Sequence, residues 1–359
     1  MQTSLTQALG LEHPIIQAPM AGGGTTVEMV AAVSEAGALG FIGAAYMSPQ
    51  QIATACRDVR LRTGKPFGIN LFAPLPVPDV PRNTDLALAR LAPIHADLGL
   101  PPPELPVLAG GSFDLQLEAA LGGGASVFSF TLGTLPTEAV EAIKSRGMFL
   151  IGTATTVDEA VVLEQTGVDA VVTQGSEAGA HRGTFAADFE AAMVGTMALV
   201  PQVADAVAVP VIASGGIMDG RGLLAGLALG ASAAQLGTAF LTCHEAGIPE
   251  AYKDAILSAN AHQTRMTRAF SGRPARSLVN RFMEEVESGS DADAILPFPW
   301  QNSLTRPLRT EAAKLGRTEY LSLWMGQGAR LARRQSAAAL VARLAEEADT
   351  AGNRLAGSS

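Results

Sequence analysis

Eight short, unbroken apolar runs punctuate the chain, each closed by Gly, Ser or Pro. They are PIIQAPM (14–20), GALGFIG (37–43), PFGINLF (66–72), ASVFSF (125–130), MFLIGTA (148–154), DAVVTQG (169–175), VPVIASGG (209–216) and AAQLGTAF (233–240). Continuous rather than alternating runs are what a sheet buried on both faces requires, and crossover helices supply that burial. The intervening segments carry helical spacing: TTVEMVAAVSEAGA ends at Gly37 and TVDEAVVLEQTGVDA at Gly167, both as glycine C-caps. Strand and helix alternating eight times predict an α/β fold, a (β/α)8 TIM barrel.

Two parts of the chain break this rhythm. Residues 73–124 hold the proline-rich stretches APLPVPDVPRNTD and LGLPPPELPVLAGGSF, suited to a lid or an oligomer contact, with 73–106 the candidate contact of a homodimer. After Phe240 the βα period stops. The expected division is a barrel over 1–242, an appended C-terminal helical lobe over 243–335 above the barrel mouth, and a terminal helix and tail over 336–359. The lobe reads as helices at PEAYKDAILSA and EYLSLWMGQGARLA around the Arg-rich TRMTRAFSGRPARSLVNRF. The end, SAAALVARLAEEADTAGNRLAGSS, reads as an amphipathic helix that frays.

Composition narrows the function classes. With 48% apolar and 16% charged residues the chain supports a large core and is not disordered. A net charge of −9 with no basic block argues against a nucleic-acid partner. Cys56 and Cys243 form no disulfide framework, and no Cys/His group has metal-ligand spacing, so no metal is expected. The most apolar window, 191–213, is broken by Pro201, Asp205 and Pro210, and the N-terminus lacks a signal-peptide pattern. A cytoplasmic protein without membrane contact is expected.

The chemistry concentrates at strand ends. QGSEAGAHRG (174–183) sets Glu177, His181 and Arg182 among small residues directly after the sixth run. In a barrel that is where active-site loops emerge, which makes His181 the candidate catalytic group. The triple glycine 22–24 fails the dinucleotide pattern, because its last glycine is missing and no acidic residue closes the second strand. ASGGIMDGRG after the seventh run and QLGTAF within the eighth occupy the positions where barrels bind phosphate through backbone N–H groups. A phosphate-bearing ligand is expected there.

These motifs stand in order along the chain: IIQAPMAGG, FGIN, QGSEAGAHRG, ASGGI and QLGTAF, then FSGRPARSLVNRF, PFPWQNSLT and EYLSLWMGQG. Together, over about residues 10–335, they resemble the nitronate monooxygenases of the bacterial class I branch. The resemblance implies an FMN cofactor and oxidation of alkyl nitronates, such as propionate 3-nitronate, by O2 to a carbonyl compound and nitrite. It implies further that Pro19, Met20, Asn70, Gln174 and Gly179 touch FMN, and that Gly216, Gln235, Leu236, Gly237 and Thr238 hold its phosphate. His181 matches the active-site histidine, as a base for the α-proton or, protonated, as the group that holds the anion. Many relatives carry Gly-Gly-His where this chain has Ala180. Arg182 reads as structural or phosphate-side rather than catalytic, and Glu177 as a receiver of backbone N–H groups. Arg273, Arg276 and Arg281 are candidates to attract an anionic substrate or to tie the lobe down, and Tyr320 and Trp324 to share a helix face. The alternative function is an NAD(P)H-dependent FMN reductase of the enoyl-acyl-carrier-protein or quinone type. A flavin-free sugar-phosphate barrel and a non-catalytic flavin-binding protein are the readings from other classes.

Overall fold

The computed structural model describes residues 1–357 apart from 77, 83, 109–112 and 289–293. Its strands are β1 (Ile15–Gln17), β2 (Gly40–Gly43), β3 (Phe67–Phe72), β4 (Val127–Thr131), β5 (Phe149–Ala154), β6 (Ala170–Gln174), β7 (Ala180–His181), β8 (Val211–Ser214), β9 (Ala233–Leu236), β10 (Thr264–Thr267) and β11 (Ala275–Leu278). Eight of them form one parallel sheet in the order β1-β9-β8-β6-β5-β4-β3-β2. A bridge between Ile16 and Leu39 brings the two edges together, with Gln17 N–H donating to Leu39 O at 2.9 Å and Leu39 N–H to Ile15 O at 3.0 Å. Edge strands that pair leave no open row of backbone groups, and the sheet becomes a TIM barrel. Each of the eight apolar runs coincides with one of these strands, β4 extending one residue past its run to Thr131.

The eighth run is strand only as far as Leu236; Thr238–Leu241 turns into a short helix, so QLGTAF straddles the strand end rather than lying inside it. Below the barrel, a helix over Ser4–Leu9 opens with Thr3 as N-cap and sends Leu5 and Leu9 against Ile16, Phe41, Ile151 and Ile212. That apolar plug closes the N-terminal end and leaves the opposite end for ligands.

The two irregular regions join above that open end. The 73–124 segment contains helices over Thr84–Asp97 and Phe113–Gly122, which the proline-rich flanks obscure in the sequence. The first contributes Leu91 and Ile94 to a second core shared with Phe270, Phe282, Leu304, Leu308 and Met325 of the C-terminal region. The lobe therefore draws on chain outside 243–335. It is also not wholly helical: β10 and β11 form an antiparallel hairpin, and β7, the His181 strand, adds to the edge of β11. Around that sheet lie helices Glu250–Ser258, Arg281–Val286 and Trp300–Leu315. EYLSLWMGQG is a single 3-10 turn at Thr318–Tyr320 followed by extended chain that bridges Ser277 at Trp324, so Tyr320 and Trp324 share no helix face.

The final helix runs over Ala337–Leu355 behind its Ser336 N-cap. Leu340, Leu344 and Ala348, four apart, place one face in the barrel's main core. Burial of each leucine stabilises by about 1.5–3 kcal/mol. Glu347 also accepts a hydrogen bond from Gly220 N–H at 3.0 Å. This helix is part of the barrel's outer layer.

Candidate active site

A cavity of about 690 Å3 opens at the C-terminal ends of the strands, between barrel and lobe. The barrel lines it with Pro19, Met20, Asn70, Gln174, Gly216 and Gln235, and the lobe with Asn302, Arg306, Arg309 and Trp324. Of the residues singled out in the sequence, Gly179, His181, Gly237 and Thr238 also face this space. Leu236 does not: its side chain is buried in the main core, because alternate residues of a strand point to opposite faces.

The turn after β6 is assembled almost entirely by internal hydrogen bonds. Arg182, only 1% exposed, donates to the carbonyls of Gln174 (2.9 Å), Gly175 (2.6 Å) and Ala192 (3.0 Å). Burial lowers its pKa to about 10, so it stays charged at neutral pH. Glu177 accepts from Thr196 N–H and Thr196 Oγ1, both at 2.9 Å, and so caps the helix Thr196–Ala206, whose own N-cap, Gly195, has no side chain to do so. Gln174 spends its amide in the same way, Nε2 donating to His181 O at 3.0 Å and Oε1 accepting from Gly183 N–H at 2.8 Å.

The small residues of this turn let lobe and barrel backbones touch. A Cβ on Gly179 would lie 2.5 Å from Met325 C and 2.6 Å from Gly326 N, and Gln327 N–H donates to Glu177 O at 2.9 Å. Ala180 follows with φ +62°, a left-handed conformation in which a side chain is strained and glycine is not.

His181 is held by β7, paired with Ala275 of β11. Its ring packs between Phe298 and Trp324, and Nε2 lies 2.9 Å from Ser271 Oγ. Burial pushes its pKa down from 6.5 to about 3, and the guanidinium charges of Arg273 and Arg309 push the same way. The imidazole is therefore neutral throughout the physiological range.

The arginines divide into two kinds. Arg273 donates to Arg182 O and Thr184 O, and Arg276 to Ser176 O; both tie the lobe to the β6 turn. Arg281 sits outside, paired with Glu285 and Asp97. None of these three lines the cavity. Arg306 and Arg309 do, on the face of helix Trp300–Leu315 that also presents Asn302. Arg306 lies over the Tyr46 ring at 4.8 Å. Arg309 bonds only to neutral groups, Asn302 Oδ1 (2.9 Å) and O (2.8 Å), Thr305 O and Ser322 Oγ. Among the described residues no carboxylate pairs with either. The i, i+4, i+7 spacing of Asn302, Arg306 and Arg309 was readable in the sequence. What it did not reveal is that this helix roofs the barrel.

The glycines offer a cradle for a phosphate. Gly215 and Gly216 take φ of +112° and +72°. A Cβ on Gly237 would have only Ala18 within contact distance and would otherwise project into the cavity. Among the described residues nothing accepts a hydrogen bond from Gly216 N–H. Asn70 Nδ2 donates to Ser129 Oγ at 2.8 Å, which leaves its Oδ1 for the cavity, and the amide of Gln235 is likewise unused. Free amides and unobstructed backbone N–H groups around a roomy cavity fit a phosphate-bearing aromatic cofactor. Among the described residues no cluster of His, Cys, Asp or Glu could hold a metal, and no helix is long and apolar enough to cross a membrane.

Fold and cavity together define a barrel enzyme that encloses a small-molecule substrate under a lobe, beside a neutral histidine and unpaired cations. A family model described as nitronate monooxygenase matches residues 2–347, and the chain belongs to that family. The probable nitronate monooxygenase of Staphylococcus haemolyticus (strain JCSC1435) is 41% identical over 348 residues, 96% of this chain and 97% of that one. The nitroalkane oxidase from Streptomyces ansochromogenes is similar in structure, with a TM-score of 0.91 and 40% identity over 98% of this chain and 99% of that chain. FabK from Thermotoga maritima follows with a TM-score of 0.79 and 30% identity, 99% of each chain being covered. The protein is an oxidoreductase that oxidises nitronates.

Proposed function

We propose that the cavity binds FMN and that nitronates are oxidised there by O2 to a carbonyl compound and nitrite, with His181 as base. Pro19, Met20, Asn70 and Gly179 would line the isoalloxazine, and Gly216, Gln235, Gly237 and Thr238 would hold the phosphate. Gln174 would act mainly by fixing the His181 backbone, and Leu236, its side chain in the core, would contribute through its backbone alone. The chemistry that FMN supplies when bound is electron acceptance from the nitronate, with O2 as final acceptor.

The observation that carries this reading is a neutral imidazole facing the same cavity as unpaired arginines. A neutral His181 can accept the α-proton of a nitroalkane but brings no charge to hold the resulting anion. Arg309 brings it. A guanidinium in a half-buried site without a carboxylate partner is poorly compensated until an anion arrives.

Oxygen uptake with propionate 3-nitronate, without and then with NADH, tests the function. The expected result is uptake with nitrite release that needs no NADH. Arg309→Met should raise KM for that anion about tenfold or more, the scale of one charge-assisted hydrogen bond. Absence of uptake, together with bleaching of the flavin by NADH, would turn the assignment to a reductase, the activity of the alternative drawn from the sequence.

A further inference from the structure

His181 Nε2 faces Ser271 Oγ, and that hydroxyl sits in a small closed network. Ser271 is 1% exposed, in the turn between β10 and β11, one strand away from β7. Its Oγ has three neighbours: His181 Nε2 at 2.9 Å, Arg273 O at 3.1 Å and Arg273 N at 3.3 Å. A hydroxyl has one proton to give and two lone pairs to accept with. Arg273 N–H can only donate to it, and Arg273 O can only accept from it. Among the described residues Arg273 O has no other hydrogen-bond donor. If the hydroxyl proton went instead to His181, that carbonyl would lose its partner, which in a buried site costs free energy. All three contacts are satisfied at once only when His181 Nε2 carries a hydrogen and donates it to Ser271 Oγ.

We infer that Ser271 is a positioning residue that holds His181 as the Nε2–H tautomer and leaves Nδ1, which bonds to no group among the described residues, as the proton-accepting atom facing the cavity. The inference rests on the reading of His181 as base and names the nitrogen that does the work. In the step it implies, the Cα–H bond of the nitroalkane breaks and the proton moves to Nδ1. The electron pair passes into the C=N bond of the nitronate. The imidazolium so formed keeps its Nε2–H bond to Ser271 Oγ. The groups around the ring are the Phe298 and Trp324 side chains and the guanidinium charges of Arg273 and Arg309. Among the described residues no carboxylate bonds to the ring, and the choice of tautomer falls to the serine.

The test is nitrogen NMR of the purified protein carrying isotope-labelled histidine, with the His181 signals identified by their loss in His181→Asn. The expected spectrum has His181 protonated on Nε2 and bare on Nδ1. Ser271→Ala should give a mixture of tautomers and lower turnover on a neutral nitroalkane about 10- to 100-fold, the usual scale for loss of a supporting partner. Turnover on preformed nitronate, which needs no proton transfer to His181, should be unchanged, and Ser271→Thr should restore the Nε2–H form. An Nδ1–H signal in the unmutated protein overturns the assignment, as does a Ser271→Ala spectrum identical to the parent's. If the tautomer is as assigned but Ser271→Ala slows both substrates equally, the positioning role stands and the base reading of His181 falls.

Discussion

Replacement of His181 by asparagine should leave the cofactor bound and lower turnover on a neutral nitroalkane by about 10²–10⁴-fold, the contribution of a positioned base. Asparagine keeps a polar group near Ser271, but its amide has no basic nitrogen to accept the α-proton. The loss on a preformed nitronate should be much smaller, because the α-proton has already gone. Parallel assays of the two substrate forms separate this role from general damage: equal losses on both would mean that His181 holds the anion or shapes the cavity. The pH profile adds a second check. Since burial holds the His181 pKa near 3, kcat/KM for a neutral nitroalkane should stay level as pH falls through 6.5, where an ordinary histidine would switch off.

The same shift has a consequence for stability whose sign is fixed by linkage. Above pH 6.5 the side chain is neutral in both folded and unfolded chains and contributes no pH dependence. Below it, the unfolded chain takes up a proton that the folded protein refuses, so stability is lost as pH drops from 6.5 towards 3. His181→Asn removes that uptake, and its denaturation midpoint should fall less steeply over this window than the parent's.

The second large effect belongs to Arg182. Arg182→Met keeps the length and most of the apolar stem, yet strips the donors from three carbonyls. We expect a loss of about 3–5 kcal/mol in guanidinium denaturation, the scale for breaking a buried charged network by removing one partner. Because Gln174 O and Gly175 O mark the start of the turn and His181 precedes the arginine directly, activity should fall as well. Arg182→Lys retains the charge but cannot reach three acceptors lying in different directions, so it should fall between the two. A midpoint in Arg182→Met equal to the parent's would show that these contacts do not support the turn.

Much of this protein was legible in its residues. Eight unbroken apolar runs specify eight buried strands because a parallel sheet covered on both faces has no polar side to show. Gly37 and Gly167 mark helix ends, with φ of +79° and +89°, because only glycine takes that conformation without strain. Clustering of Glu177, His181 and Arg182 after the sixth strand marks the turn itself. The tertiary structure decided how those three divide their work. Arg182 and Glu177 are consumed by carbonyls and amides brought in from residues 192–196, and His181 alone is left facing the cavity. It decided, too, which arginines line the cavity. Local patterns carry helix and strand periodicity, but not which face of a distant helix covers the barrel. Arg306 and Arg309 line the cavity, while of the two roles open to Arg273 and Arg276 the structure shows the tying of lobe to barrel. Ser271 lies 90 residues beyond His181, and only the addition of β7 to the edge of β11 brings the two together. A contact across that separation leaves no trace in spacing or composition, because closing so long a loop is driven by the packing of whole elements and not by the two residues that finally meet.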